Sequence, residues 1–248
     1  MSLVRCLVDV FFPPRCAACG QAAEGELFCP ACLRRVARVT NPVCRHCAAA
    51  LLHPSSPTCL RCAQEPWPCD RFAAAFHYAG PVRDALLAFK HSGRVELADR
   101  LADAAFPLVA PLLQGTPDLV VAVPMHGTRL ARRGFNQAAL LAARMASRLD
   151  AACAARMLVR TRHTGSQGGL SLSERRRNVA GAFAWAGPKP GEGSSVLIVD
   201  DVVASGATIC ECARVLRAAG FARVDAWAVA RPPLSDFGTF CTNRPIPI

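Results

Sequence analysis

Thirteen residues, Val196 to Thr208, constrain the fold most: Val-Leu-Ile-Val-Asp-Asp-Val-Val-Ala-Ser-Gly-Ala-Thr. Four apolar residues in a row make a strand that must be buried on both faces, as in a parallel sheet. Two carboxylates, Asp200 and Asp201, stand at its end, and the small-residue turn Ala204, Ser205, Gly206, Ala207, Thr208 then opens a helix. Without bulky side chains, several backbone N–H groups of this turn can converge on one anion at the positive end of that helix. Asp200 and Asp201 repel a phosphate but accept hydrogen bonds from sugar hydroxyls beside it. Phosphate donors next to hydroxyl acceptors point to a ribose 5-phosphate. Taken alone, the two acids also suit an ordinary helix start.

The rest of the chain supplies a sheet for that strand. Phe72 to Tyr78, Asp118 to Val123, Met157 to Arg160, Ala182 to Ala186 and Val224 to Ala230 read as strands. Between them lie helical stretches at Pro81 to His91, Val95 to Leu113 with a break near Pro107, Phe135 to Leu149, Glu174 to Val179 and Ala207 to Ala219. Strands alternating with helices predict an α/β fold, a mainly parallel sheet flanked by helices. Ligands of such a sheet gather at the carboxyl ends of its strands. Two ends matter: Val199 leading into Asp200 to Thr208, and Val123 leading into a loop with His126, Arg129, Arg132 and Arg133, donors suited to pyrophosphate. Solvated helix-start arginines and a capping or packing histidine are the plainer roles for that second loop. Asn136 and Gln137 suit securing the turn as well as touching a ligand.

Ten of the fourteen cysteines lie between Cys6 and Cys69, and eight of these form four Cys-x-x-Cys pairs. In a chain read as cytoplasmic, that pattern means metal ligation rather than disulfides. Cys16, Cys19, Cys29 and Cys32 make one set, and Cys44, Cys47, Cys59 and Cys62 the other. Each pair presents two thiolates to one ion, and two pairs fill a tetrahedral shell, so two structural zinc ions are expected, in a compact double ribbon paired sequentially, with an interleaved pairing of the four pairs the alternative that sequence leaves open. A module this small needs such a staple. His46 and His53 are nearby substitutes as ligands, and Cys69 could replace Cys62. Cys6, Cys153, Cys210, Cys212 and Cys241 lack ligand spacing.

The expected organisation is a short amphipathic helix over residues 1–14, the double ribbon over 15–69, the α/β domain over 70–231, and a poorly ordered proline-rich tail over 232–248. The apolar amino terminus carries Arg5 and Asp9 and lacks a cleavage site, so it does not read as a signal peptide. Later apolar runs are interrupted before spanning length, which argues against membrane insertion. The formal charge is +11, and residues 1–70 hold seven arginines against five acids, so the excess lies in the α/β domain. Such a charge favours polyphosphate or nucleic acid as a partner.

The signature stretch closely resembles the phosphoribosyl-pyrophosphate (PRPP) motif of type I phosphoribosyltransferases. The whole chain, from about Pro14 to Arg231, resembles the ComF family of competence-associated proteins, which join an amino-terminal zinc ribbon to a phosphoribosyltransferase-like domain. The match is carried by the cysteine pairs, by Ala88-Phe89-Lys90-His91, by Val123-Pro124-Met125-His126 with Arg132-Arg133-Gly134-Phe135-Asn136-Gln137, and by the signature itself. A further block, Arg162, Thr164, Gln167, Leu170, Arg175, Arg177, Asn178 and Phe183, resembles the family's arginine-rich mobile loop and the strand after it.

The resemblance implies that Asp200 and Asp201 meet the ribose hydroxyls, that Ala204 to Thr208 hold the 5-phosphate, and that Lys90, His126 and Arg129 serve the pyrophosphate end. One departure is Ala204, where many members carry a hydroxyl; Ser205, Thr208 and the backbone donors remain. The implied activity is phosphoribosyl transfer from PRPP with magnesium, in nucleotide metabolism linked to DNA uptake. No acceptor pocket is legible. The alternative is a non-catalytic, PRPP-regulated protein handling single-stranded DNA with DNA-uptake proteins, against which the aromatic share of 6% counts mildly. Phosphoribosyltransferase folds often form homodimers, but no apolar stripe here decides that.

Overall fold

The computed structural model describes residues 14–233 except 24, 52, 54, 92 and 166–168. The expected amino-terminal helix, Cys6, Gln167, Cys241 and the tail from residue 234 onward lie outside the described residues.

Five parallel strands form the central sheet. They are β1 (Arg71–His77), β2 (Leu119–Ala122), β3 (Ala152–Cys153), β6 (Ser195–Val202) and β7 (Arg223–Arg231), in the order β1-β7-β6-β2-β3. Strands β4 (Leu158–Arg160) and β5 (Phe183–Trp185) pair as a separate antiparallel ribbon. Adjacent β2 and β6 feed connections that leave in opposite directions, β2 towards β3 and β6 towards β7. That divergence opens a crevice at their carboxyl ends, the place where open α/β sheets hold ligands.

The helices of this domain are α3 (Gly80–His91), α4 (Leu97–Val109), α5 (Gly127–Arg133), α6 (Gln137–Leu149), α7 (Leu172–Val179) and α8 (Ala207–Ala219). Helices α4 and α6 pack together, α4 against β1 and β7 and α6 against β2 and β6, while α8 packs on β6 and β7 beside α7 and β5. Leu197 and Ile198 of β6 and Trp227 of β7 are fully buried, as the apolar run predicts. The start of β6 is locked to β2: Ser195 donates to Asp118 from its N–H (2.7 Å) and from its hydroxyl (2.6 Å), and the Asp118 N–H donates to Ser195 Oγ (3.0 Å). These hydrogen bonds hold the Asp118 carboxyl below its ordinary pKa.

Among the elements that differ from expectation are α4 and α5. Pro107 stands inside α4 rather than breaking it; the missing amide falls near the helix end, which passes into a 3-10 turn at Ala110–Leu112. Helix α5 occupies what reads as loop, because Gly-Thr-Arg-Leu-Ala-Arg-Arg buries none of its residues and therefore shows no apolar period.

The cysteine-rich segment contributes α1 (Pro30–Leu33) and α2 (Leu60–Gln64). Residues 37–39, between its two cysteine sets, run antiparallel along β1: the Val39 N–H donates to Ala75 O (2.9 Å) and the His77 N–H to Ala37 O (2.8 Å). A sheet edge that would otherwise be open is thereby covered.

Candidate ligand crevice and cysteine clusters

The carboxyl end of β6 places Asp200 and Asp201 at the crevice. Each uses one carboxylate oxygen to accept the next residue's N–H, Asp200 from Asp201 and Asp201 from Val202, both at 2.8 Å. Asp201 is buried and ion-paired with Lys90 from the last turn of α3, Nζ to Oδ2 2.7 Å. Burial opposes the Lys90 charge, but Asp201 and then Asp200 outweigh it and raise the ammonium pKa. Burial and the neighbouring Asp201 carboxylate push the Asp200 carboxyl well above its usual range.

Beyond the acids the chain turns through Ala204 and Ser205 into Gly206, the cap of α8, at φ +79°. The cap residue Gly206 has no side chain to hold the first-turn N–H groups of α8; the Ala207 N–H donates to Ser205 Oγ (3.4 Å). Asp200, the turn Ala204 to Thr208 and their neighbours line a cleft of about 100 Å³. A side chain at Gly206 would collide with Trp67, whose ring carbon lies 2.2 Å from where a Cβ would stand.

On the β2 side, His126 is the N-cap of α5: its Nδ1 accepts from the Thr128 N–H (3.3 Å) and lies 2.9 Å from the Thr128 hydroxyl. The His163 ring meets it edge-on at 4.7 Å. Partial desolvation, then His163, Arg160 and Arg129, keep His126 below its ordinary pKa, as a neutral accepting cap requires. Arg129 and Arg132 are exposed, whereas Arg133 is half-buried, donates to Gln137 Oε1 (2.8 Å) and feels the Asp201 carboxylate. Asn136 caps α6 through the Ala138 N–H (3.1 Å) and ties back to Val123 O (3.1 Å) at the end of β2. Of the two roles open to Asn136 and Gln137, the structure shows both securing the turn.

The block from Arg162 to Asn178 is stapled to itself. Arg162 donates to Asn178 O (3.1 Å) and Ala180 O (2.9 Å), and Asn178 Nδ2 donates to Gly165 O (3.1 Å). Buried Arg175 donates to Leu170 O (2.9 Å), and a Ser171–Glu174 capping box starts α7. Arg176 reaches Glu65 just past α2, and Arg177 faces solvent. Thr164 is buried against Arg160, which also sits 5.4 Å over the Phe183 ring.

The eight expected cysteines gather into two clusters, Cys16/Cys19/Cys29/Cys32 and Cys44/Cys47/Cys59/Cys62, each with its sulfurs within 4.8 Å of one another. Sequential pairing is therefore what the fold builds. Measured edges are 3.7 Å from Cys19 to Cys29 and 3.8 Å from Cys47 to Cys59; a tetrahedron with metal–sulfur bonds of about 2.3 Å has edges of about 3.8 Å. His46 instead turns its Nδ1 towards Cys69 O (3.4 Å). Neither His46, His53 nor Cys69 joins a cluster.

Lys90, Asp200, Asp201 and the 204–208 turn thus meet at one crevice, with Arg133 within electrostatic reach. His126 and Arg129 form a neighbouring basic group with Arg160 and His163, whereas Arg162, Arg175 and Asn178 serve the loop itself. Sequence reasoning passed over Trp67, Arg160 and His163. The tryptophan four residues before β1 is the one visible signal.

A parallel sheet with an uncapped small-residue turn and twin acids at its switch point defines a phosphoribosyltransferase-type α/β protein. The chain belongs to the phosphoribosyl transferase domain family, matched over residues 94–235, and to its ComF branch, with a double zinc ribbon domain matched over residues 7–63. It is 36% identical to the DNA utilization protein YhgH of Salmonella typhimurium, over 82% of this chain and 89% of that protein. It is 34% identical to the Escherichia coli K12 protein of the same name over the same shares. Competence protein F of Haemophilus influenzae is 29% identical over 89% of this chain and 98% of its own.

Proposed function

We propose that the crevice binds PRPP and that the protein transfers its phosphoribosyl group in a process that uses or imports DNA. One observation carries the reading: the uncapped α8 turn, Asp200, and the Lys90–Asp201 pair share the carboxyl ends of β6 and α3. The α8 N–H groups and the Ser205 and Thr208 hydroxyls take the 5-phosphate. Asp200 and Asp201 accept from the ribose hydroxyls. Lys90, Arg133, Arg129 and Arg132 serve the pyrophosphate end, where their charge favours departure of the leaving group, and the neutral His126, whose Nδ1 accepts from Thr128, offers it an Nε2–H donor. Hard carboxylate oxygens at Asp200 and Asp201 fit magnesium, which, when bound, offsets pyrophosphate charge. The resemblance gives Arg162, Thr164, Arg175 and Asn178 a role in excluding water from the site.

The two clusters hold structural zinc, a reading supported by their tetrahedral sulfur spacing and by the ribbon match. All four positions of each are protein ligands, so they staple rather than catalyse. A reducing cytoplasm suits eight free paired thiols. Among the described residues no helix is long and apolar enough to cross a membrane.

Calorimetry with PRPP, with and without magnesium, tests the site. Binding should be magnesium-dependent and lost in Asp200→Asn/Asp201→Asn; unchanged binding in that double variant rejects the assignment. Pyrophosphate release across a panel of nucleobases and amines then tests transfer.

A second reading has its own observation. His126, Arg129, Arg160 and His163 form a basic group beside the crevice, and the Salmonella typhimurium relative is named a DNA utilization protein. On this reading the protein holds single-stranded DNA under PRPP control, with DNA-uptake proteins as partners. Affinity for a labelled oligonucleotide should then fall steeply with salt and change on adding PRPP; salt-insensitive or absent binding rejects it.

A further inference from the structure

Trp67 belongs to the segment that leaves the second cysteine cluster, yet its ring lies against the turn that precedes α8. Three atoms of the indole, Cζ2, Cη2 and Cε2, stand 2.2, 2.4 and 2.7 Å from where a Gly206 Cβ would be. The indole face is therefore in direct contact with the Gly206 backbone. Gly206 is also at φ +79°, so its lack of a side chain meets both a conformational and a steric need.

The indole is not free to drift. It is 7% exposed and packs on Phe72 of β1 with ring centroids 5.2 Å apart. Upstream, Glu65 is ion-paired with Arg176 of α7. Downstream, Asp70 accepts from the Val224 N–H (2.8 Å) and from Arg217 of α8, and its own N–H donates to Val224 O (2.8 Å). Both flanks of Trp67 are thus anchored to the domain that carries the turn. A turn of small residues offers little side-chain packing of its own to fix its backbone; here a rigid surface comes from outside.

We propose that Trp67 is a positioning residue for the α8 turn, so that the cysteine-rich module buttresses the backbone of the sugar-phosphate site. This rests on the proposed binding of a 5-phosphate at that turn. The indole touches the backbone behind the N–H groups and sets their direction, and a smaller side chain leaves the turn to wander before each binding event.

The probe is ribose 5-phosphate with the full-length, metal-replete chain. Trp67→Ala should weaken binding by about tenfold or more, and Trp67→Phe should restore part of the loss. In protein labelled with 5-fluorotryptophan, the fluorine resonance assigned through Trp67→Phe should shift on saturation, while that of Trp185, which meets Phe221 and donates to Pro188 O, stays still. Wild-type affinity in Trp67→Ala, or an unmoved Trp67 resonance in a protein that binds, overturns the inference and leaves the site standing. Wild type that fails to bind ribose 5-phosphate overturns both. Should Trp67→Ala fail to fold, the phenylalanine variant and the fluorine shift in wild type decide.

Discussion

Lys90 Nζ lies 2.7 Å from Asp201 Oδ2, joining the last turn of α3 to the carboxyl end of β6. The pair keeps one charge of the adjoining acids compensated while Asp200, pushed up by burial and by Asp201, holds its proton more tightly than usual. Crevice polarity is thus set by three side chains from two elements.

Removing Lys90 should expose how much that compensation contributes. Lys90→Met leaves a buried carboxylate beside Asp200, and breaking such a pair costs about 3–5 kcal/mol when fully buried. One fifth of the Lys90 side chain is exposed, so we expect about 2 kcal/mol after screening. The folded Lys90 pKa is raised, so its contribution is complete below the unfolded lysine pKa and lost only as pH climbs through the folded value. Urea unfolding at neutral pH should show the full loss, and Lys90→Met/Asp201→Asn should recover more than half of it.

Asp225 behaves in the opposite sense from a stabilising surface acid. Burial raises its carboxyl from 3.8 to about 6, with Arg223 only partly offsetting it. The folded state therefore holds the proton longer than the unfolded chain, and stability falls as pH rises from about 4 to about 6, then levels. Relative to wild type, Asp225→Asn should become more stable across that window and gain about 2 kcal/mol at pH 7.5. Paired melts at several pH values give the difference directly; a pH-independent difference contradicts the assignment.

What the sequence made legible follows from local chemistry. The apolar run Val196 to Val199 can only be a doubly buried strand, and Ala207–Ala219 starts after Gly206 and stops before Gly220 as its end signals dictate. The cysteine spacing likewise led directly to the two clusters. Helix α5 was hidden because it buries nothing, and β3, two exposed residues long, has no pattern to show. Arg175 to Arg177 illustrate the limit. Three like residues in a row take three fates, one buried, one paired with Glu65 and one in solvent, and only tertiary packing assigns them. Trp67 against Gly206 is a contact between distant segments, beyond the reach of any periodicity.

The two clusters should differ in what they support. Cys19 is exposed, whereas Cys44 and Cys47 are buried, and the Arg45 carbonyl between them accepts the Phe72 N–H (2.7 Å) at the edge of β1. Cys47→Ser should lower bound zinc from two ions per chain to one and also lower the melting temperature. Cys19→Ser should remove one ion with a smaller thermal effect. Elemental analysis with calorimetric melting checks both.

Arg231 ends β7 only 4% exposed, with Nε and Nη1 lacking a hydrogen-bond partner among the described residues. Burial lowers its pKa, and the charges acting against that come from Cys47, Cys44, Cys59 and Cys62. Four thiolates around one divalent zinc leave a net charge of about −2, which a buried site cannot hold cheaply without a counter-charge. With zinc bound as proposed, the buried Arg231 guanidinium would act as a counter-charge to the second cluster, supplied by the central sheet. The first cluster has an arginine of its own: Arg100 of α4 donates to the carbonyls of Arg15 and Glu26 in the loop around it and feels the charge of Cys16. Arg231→Met should speed chelator-driven release of one zinc ion by about tenfold while the other leaves at its wild-type rate, and Arg231→Lys should recover part of the difference. Equal acceleration of both ions would instead mark general unfolding, and the unaffected first site makes that distinction within a single trace.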